Sequence, residues 1–203
     1  MNKSDVYSIL REKIVLGDYK PGQVLKEKEL MEEYKIGRTP LRELLVRLDA
    51  EGLVEVVPYS GVYISSVEFQ ELVDVMEVRR PLIRMAAKLV AERATRQEIE
   101  KMKKFLGKFK DNLNEKEIIK LDSKFHDLIN MATHNKVLYQ ILQALRDRVL
   151  RLWILPKDKS FVYSFKDDFQ RLIHAVEEKD EKAAVSILSA HTESFIEKIK
   201  AQL

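Results

Sequence analysis

Gly37-Arg38-Thr39-Pro40-Leu41-Arg42-Glu43-Leu44-Leu45-Val46-Arg47-Leu48-Asp49-Ala50-Glu51-Gly52-Leu53-Val54 is the stretch on which the fold depends. Leu41, Leu44, Leu45 and Leu48 recur at i, i+3, i+4 and i+7, the spacing of one apolar helix face. Thr39 is expected to cap this helix and Pro40 to open it, where the missing N–H of proline costs nothing. Arg42 and Val46 project from the opposite side, with Glu43 and Arg47 on the flank. Arg38, Thr39 and Arg42 therefore cluster at the N-terminal end. A recognition helix meets phosphates and base edges in a major groove at that end. An ordinary amphipathic surface helix carries the same pattern, so the flanking sequence decides.

Val6, Ile9, Leu10, Ile14 and Val15 give a helical stripe from about residue 5 to Leu16. Gly17 stops it, and Tyr19-Lys20-Pro21-Gly22 is a turn. Lys26 to Tyr34 reads as a short second helix, and Lys35-Ile36-Gly37 leads into the stretch above. After Gly52, residues Leu53 to Val57 form a β run, Pro58-Tyr59-Ser60-Gly61 turns it, and Val62 to Ser65 returns. Helix, helix, turn, helix, hairpin is the winged helix-turn-helix plan.

Composition narrows the classes further. At 203 residues, 45% hydrophobic and 34% charged, with six Gly and five Pro, the chain can bury a real core and is neither fibrous nor disordered. No run of about eighteen apolar residues suggests a membrane span. Met1 to Asp5 leads into a charged amphipathic segment rather than the apolar region of a signal peptide, so a cytoplasmic protein is expected. The chain has no cysteine, which excludes disulfides and thiolate metal sites. Net charge is +3 overall, but residues 1–66 hold ten Lys/Arg against eleven Asp/Glu. A DNA binder so balanced must focus its cations locally.

The parts of residues 5–65 with the highest information are Leu16-Gly17 followed by Pro21-Gly22, then Arg38-Thr39-Pro40-Leu41-Arg42-Glu43, Glu51-Gly52-Leu53-Val54, and Gly61. Together they resemble the DNA-binding domain of the GntR family of bacterial transcription regulators. The resemblance implies DNA contacts from Lys28 on the second helix, from Arg38, Thr39 and Arg42 on the third, and from Gly61 in the wing. Relatives usually carry Ser where Gly37 stands and often Arg where Lys28 stands; Lys offers a point charge in place of a bidentate fork. Arg38 and Arg42 suit guanine O6/N7 or phosphate, a good base pair being worth ~1–3 kcal/mol of discrimination. The Thr39 hydroxyl suits phosphate beside a helix N-terminus. Gly61 lets the wing backbone approach a minor groove closely.

From Ser65 onward the pattern is all-helical. Ser65 and Glu68 have the spacing of a capping box. Amphipathic segments follow at about 68–93, 96–112, 115–132, 135–155, 161–178 and 181–202, with Pro81 expected to kink the first or mark a boundary. The informative residues are the polar ones on apolar faces. Asp122 and His126, at i and i+4, lie on the stripe Ile118, Asp122, Phe125, Ile129, Ala132. His191 lies on Ala184, Ile187, Leu188, His191, Phe195, and Arg79 on Leu72, Val75, Met76, Arg79, Ile83, Ala86. Buried charges of this kind must be satisfied by each other, by a metal or by an anionic ligand.

The order of "DVMEVRRPLIRMAAKLVAERAT", "LDSKFHDLINMATHNKVL" and "FQRLIHAVEEKDEKAAVSILSAH" resembles the FCD effector domain of the FadR subfamily of GntR regulators, over roughly residues 68–200. The expected architecture is mainly α: a winged helix-turn-helix over 1–66 and a helical effector-binding and dimerisation domain over 67–203. Many FCD domains hold a divalent cation with one Asp and three His, and the resemblance assigns Asp122, His126 and His191 to that role. Phe169 stands at the remaining position and cannot ligate. His134 and His174 read as surface residues.

Two readings stay open. Three N/O ligands with open positions suit one divalent ion per subunit, such as Zn²⁺ or Ni²⁺, with an effector carboxylate or water completing the shell. Alternatively Asp122 pairs with His126 or Arg79 and Phe169 makes a drier, metal-free pocket. In either case Arg79, with Arg148 as a weaker candidate, suits a small anionic effector. The expected protein is a homodimeric regulator, a repressor by expectation, that reads a palindromic operator in double-stranded DNA. The rival is a metal-dependent enzyme acting on a small carboxylic acid. No positioned general base beyond the ligands themselves, no phosphate loop and no nucleophile motif favour that rival.

Overall fold

The computed structural model describes residues 3–66, 69–150 and 160–200. They form two compact units, one of residues 3–66, 69–73 and 146–150 and the other of residues 74–145 and 160–200.

The first unit contains α1 (Lys3–Val15), β1 (Val24–Leu25), α2 (Glu27–Tyr34), α3 (Arg38–Ala50), β2 (Val54–Val57) and β3 (Gly61–Ile64). Gly17, at φ +74, ends the turn after α1, and its neighbour Asp18 donates its N–H to the Lys13 carbonyl. The leucine face of α3 is buried throughout, against Val6, Leu10 and Ile14 of the α1 stripe and Leu30 of α2 in a common core. Each such fully buried leucine contributes about 1.5–3 kcal/mol of transfer free energy. The sheet is three-stranded and antiparallel in the order β1-β3-β2, pairing Val24 with Tyr63 and Val54 with Ile64. Strand β1 was not expected: a two-residue strand carries no alternation to read.

Helix α3 begins two residues earlier than its sequence suggests. Gly37, extended at φ −76 and ψ 170, is the N-cap, and no side chain caps the helix. Thr39 is therefore the second helical residue and Pro40 the third. Proline is still tolerated there because the first four N–H groups of a helix have no partner within it. The Gly37 carbonyl accepts the first helical bond, from the N–H of Leu41.

The second unit is helical: most of α4 (Phe69–Arg93), then α5 (Arg96–Leu106), α6 (Glu115–Ala132), α7 (Lys136–Leu150), a 3₁₀ turn (Ser160–Ser164), α8 (Phe165–Glu177) and α9 (Glu181–Lys200). Helix α4 is continuous through Pro81, so proline does not mark a boundary there. The loss of one backbone bond is offset by the buried stripe Val75, Met76, Ile83, Ala86, Ala87 and Val90 along the same helix. Helix α5 stops at Leu106, six residues short of the expected 112; Gly107 is its C-cap, and Phe109 is buried beyond it. Helix α8 is preceded by the 3₁₀ turn, so its α-helical part starts at Phe165 and not at 161. Capping boxes open α5 (Thr95 and Glu98) and α6 (Asn114 and Glu117). Glu68, the second member of the capping pair expected with Ser65, lies outside the described residues.

The core of this unit is aromatic. Phe125 and Phe169 stack with ring centroids 4.1 Å apart, Phe109 meets the edge of Phe169 at 5.8 Å, and Phe105 lies 6.2 Å from Phe125. Arg80 of α4 donates to both carboxylate oxygens of Glu193 on α9, at 2.5 and 3.1 Å, a bidentate pair that fixes the register of these helices.

Candidate DNA-binding surface and effector site

The side of α3 opposite its leucines is exposed. Arg38, Thr39 and Arg42 stand at its N-terminal end in solvent, and Lys28 is exposed on α2. One carboxylate lies between the helices: Glu27 Oε2 is 3.9 Å from Arg38 Nε and 3.7 Å from Arg42 Nε. Such exposed pairs are worth about 0–1 kcal/mol, weak enough for phosphate or a base edge to displace. Arg47 is held differently. Its guanidinium stacks 3.7 Å over the Tyr7 ring and donates to Glu51 at 3.2 Å, while the Tyr7 hydroxyl donates to the same carboxylate at 2.5 and 2.6 Å. Burial, then the bond to Glu51, pushes the Tyr7 phenol up to about 12. Arg47 thus fastens α3 to α1.

The wing is the β2–β3 hairpin, with residues 58–60 as its turn. Gly61 has φ +130, a conformation that L side chains rarely adopt. A side chain at 61 would meet nothing closer than Tyr63 at 4.0 Å, so backbone conformation and not crowding calls for glycine.

In the second unit, α6 and α9 bring Asp122, His126 and His191 together, all three buried. His191 Nε2 is 3.1 Å from Asp122 Oδ1, and His126 Nε2 is 3.7 Å from the same oxygen. One ligand atom from each of the three lies within 4.8 Å of the others. A tetrahedral ion at ~2.1 Å from N and O donors needs them about 3.4 Å apart. The trio fits such an ion with small side-chain rotations, and its N/O character suits Zn²⁺ or Ni²⁺.

Asp168 of α8 completes the constellation. Its Oδ2 lies 3.1 Å from His191 Nδ1, and its Oδ1 accepts from Arg171 at 2.6 Å. Burial alone would lower the His191 pKa; the hydrogen bonds and charges of Asp122 and Asp168 outweigh it and push it up to about 9. Burial likewise opposes ionisation of Asp168, and the bonds from His191 and Arg171 hold its carboxyl below the usual range. With Nδ1 held by a carboxylate, Nε2 is the nitrogen left to serve as ligand, the carboxylate–histidine arrangement common around metals.

Phe169 is fully buried, stacked on Phe125, edge-on to His126 at 5.8 Å and 4.8 Å from His191. Arg79 is buried on α4 in the same unit, its Nη1 4.0 Å from the Met76 sulfur. Arg148 is placed elsewhere: it belongs to the first unit, is exposed, and lies 3.6 Å from Glu71. His134 and His174 are exposed, His134 at 3.0 Å from Glu98.

The FCD domain profile matches residues 74–194, and the profile of bacterial regulatory proteins of the gntR family matches residues 2–64. The chain belongs to the GntR family. It is a DNA-binding transcription regulator with an FCD effector-binding domain, and not an enzyme, since the family and its relatives are regulators. The helix-turn-helix regulator YdhC of Bacillus subtilis is 27% identical over 199 residues, covering 96% of this chain and 89% of its own. The Nta operon transcriptional regulator of Aminobacter aminovorans is 32% identical over 133 residues, 64% of this chain and 63% of that protein. Among solved structures, McbR/YncC of E. coli shares the fold with a TM-score of 0.88 at 22% identity, covering 98% of this chain and 97% of that one.

For a GntR regulator, the residue that sequence reasoning missed is Asp168. It flanks the apolar stripe of α8 one position before Phe169 and so reads as a helix-surface acid. The signal that could have found it is its spacing of twenty-three residues from His191, one more than that of Phe169. No helix among the described residues of this regulator is long and apolar enough to cross a membrane.

Proposed function

We propose that this regulator is a cytoplasmic homodimeric repressor whose winged helix, residues 1–66, reads a palindromic operator and whose domain from residue 67 onward responds to a small anionic effector. Lys28, Arg38, Thr39, Arg42 and Gly61 make the DNA contacts, the arginines by bidentate hydrogen bonds and Thr39 through its hydroxyl. Exposed Val78 and Met85 on α4, seven residues apart, and Val137 and Ile141 on α7, four apart, offer apolar faces that a second copy can cover.

The observation that carries the effector reading is the buried trio of Asp122, His126 and His191, with Asp168 orienting the last. These residues hold one divalent ion per subunit, Zn²⁺ or Ni²⁺, whose open positions take an effector carboxylate, and Arg79 supplies positive charge in the same unit. A bound ion would supply Lewis acidity and a fixed point of attachment for that carboxylate. The second reading is a metal-free cluster closed by the Asp122–His191 hydrogen bond, and the tight Phe125–Phe169 stack beside it favours a dry pocket.

Native mass spectrometry of protein purified without chelator separates the two. A dimer with one metal per subunit, lost in His126→Ala, is expected from the first reading. A metal-free dimer would establish the second, and any co-purifying small molecule would name the effector class.

A further inference from the structure

Four described non-glycine residues have positive φ: Lys35, Tyr59, His134 and Lys179. Three of them have a local reason. Lys35 is the C-cap of α2 and donates its N–H to the Met31 carbonyl; His134 and Lys179 follow α6 and α8 and donate to the carbonyls of Met131 and Val176. A left-handed residue is the ordinary way to end a helix. Tyr59 is different. It sits at φ +63 in the β2–β3 turn, where glycine, asparagine or aspartate adopts that conformation without strain. Its side chain recovers nothing by packing, since its relative exposure is 111%. The turn accounts for the backbone conformation but not for the tyrosine.

The turn also carries its own hydrogen bonds. Ser60 donates its N–H to the Val57 carbonyl at 3.1 Å, the Ser60 and Tyr63 hydroxyls lie 2.7 Å apart, and Tyr63 donates to the Ser60 carbonyl at 3.3 Å. A large ring with a hydroxyl at its end is therefore presented to solvent from a hydrogen-bonded turn, at the tip of the wing in the unit that carries Arg38 and Arg42. Strain at a fully exposed aromatic is the pattern of a side chain kept for a contact made outside the chain.

We infer that Tyr59 is a DNA-contacting residue at the wing tip, its ring packed on deoxyribose and its hydroxyl donating to a phosphate oxygen. This rests on the DNA-binding surface described above and adds a residue to it. The contact is neutral, so it contributes equally at all salt concentrations, whereas Arg38 and Arg42 contribute through counterion release.

The test uses full-length protein and a duplex that the wild type selects from a random-sequence library. Tyr59→Phe removes the hydroxyl, Tyr59→Ala removes the ring, and Tyr59→Gly removes the ring and relieves the backbone. Tyr59→Gly is expected to raise the urea midpoint while weakening binding about tenfold, with Tyr59→Phe about threefold weaker and the salt slope unchanged in both. Tyr59→Gly and Tyr59→Ala that bind as tightly as wild type would overturn the contact, as would a Tyr59→Gly protein less stable than its parent. Arg42→Ala is the control. Loss of binding there with none at Tyr59 refutes this inference alone, while no loss in either variant refutes the DNA surface itself.

Discussion

The two units place their functional groups on opposite sides of the same kind of helix. On α3 the apolar face is buried and every proposed contact residue stands in solvent. On α6 and α9 the candidate ligands Asp122, His126 and His191 occupy the apolar face itself, among Phe125, Phe169 and Leu188. The two proposed sites therefore predict that binding and stability are separable in the first unit and coupled in the second. A DNA surface must be reached by a large partner, whereas an effector or ion gains strength from being taken out of water.

The largest effect that can break this comparison is Asp122→Ala. It leaves His191 buried and charged with only Asp168 as partner, and removing one member of a buried pair typically costs about 3–5 kcal/mol. Urea unfolding of metal-free protein should register the loss; a change below ~1 kcal/mol would mean the trio is not part of the core. Arg42→Ala is the matching substitution in the other unit. It should cost ~1–3 kcal/mol in binding the selected duplex, with sequence discrimination reduced, and less than about 0.5 kcal/mol in unfolding free energy.

Changing pH probes the effector site without mutation. The His191 pKa is raised from 6.5 to about 9 on folding, so its contribution is complete below pH 6.5 and is lost as pH rises through 9. Metal-free protein should therefore lose stability across that interval, and the loss should vanish in His191→Gln. Divalent ions compete with the Nε2 proton, so their affinity should rise over the same interval. The smallest expected effect is Gly37→Ser, which restores a capping hydroxyl to α3. Because glycine is already a tolerable N-cap, the gain should be only a few tenths of a kcal/mol, read as a small rise in Tm.

Much of this was legible from sequence where the physics is local. The i, i+3, i+4, i+7 leucines of α3 fall on its buried face because a helix at an apolar core has few other ways to lie. Asp122 and His126 could be paired because one helical turn separates them. The start of α3 was misread because Thr39 is a good capping residue by type, while the extended backbone at Gly37 took that role without any side chain. The β1 strand was invisible, being two residues whose partner lies nearly forty positions on. Asp168 was missed for the same reason in a different form: its meaning comes from His191 across an interhelical gap and not from its own helix.

The position of Glu27 between Arg38 and Arg42 has a consequence for how tightly this protein holds arbitrary DNA. The helix pair carries a carboxylate of its own near both guanidiniums, held by weak exposed contacts. On the proposed DNA surface, a phosphate taking its place would leave the Glu27 charge beside the arginines, and affinity should then fall less steeply with ionic strength than for two bare arginines. In the proposed complex, a duplex that offered both guanidiniums good partners would best offset that displacement, so a built-in anion would discourage lingering on the wrong sequence.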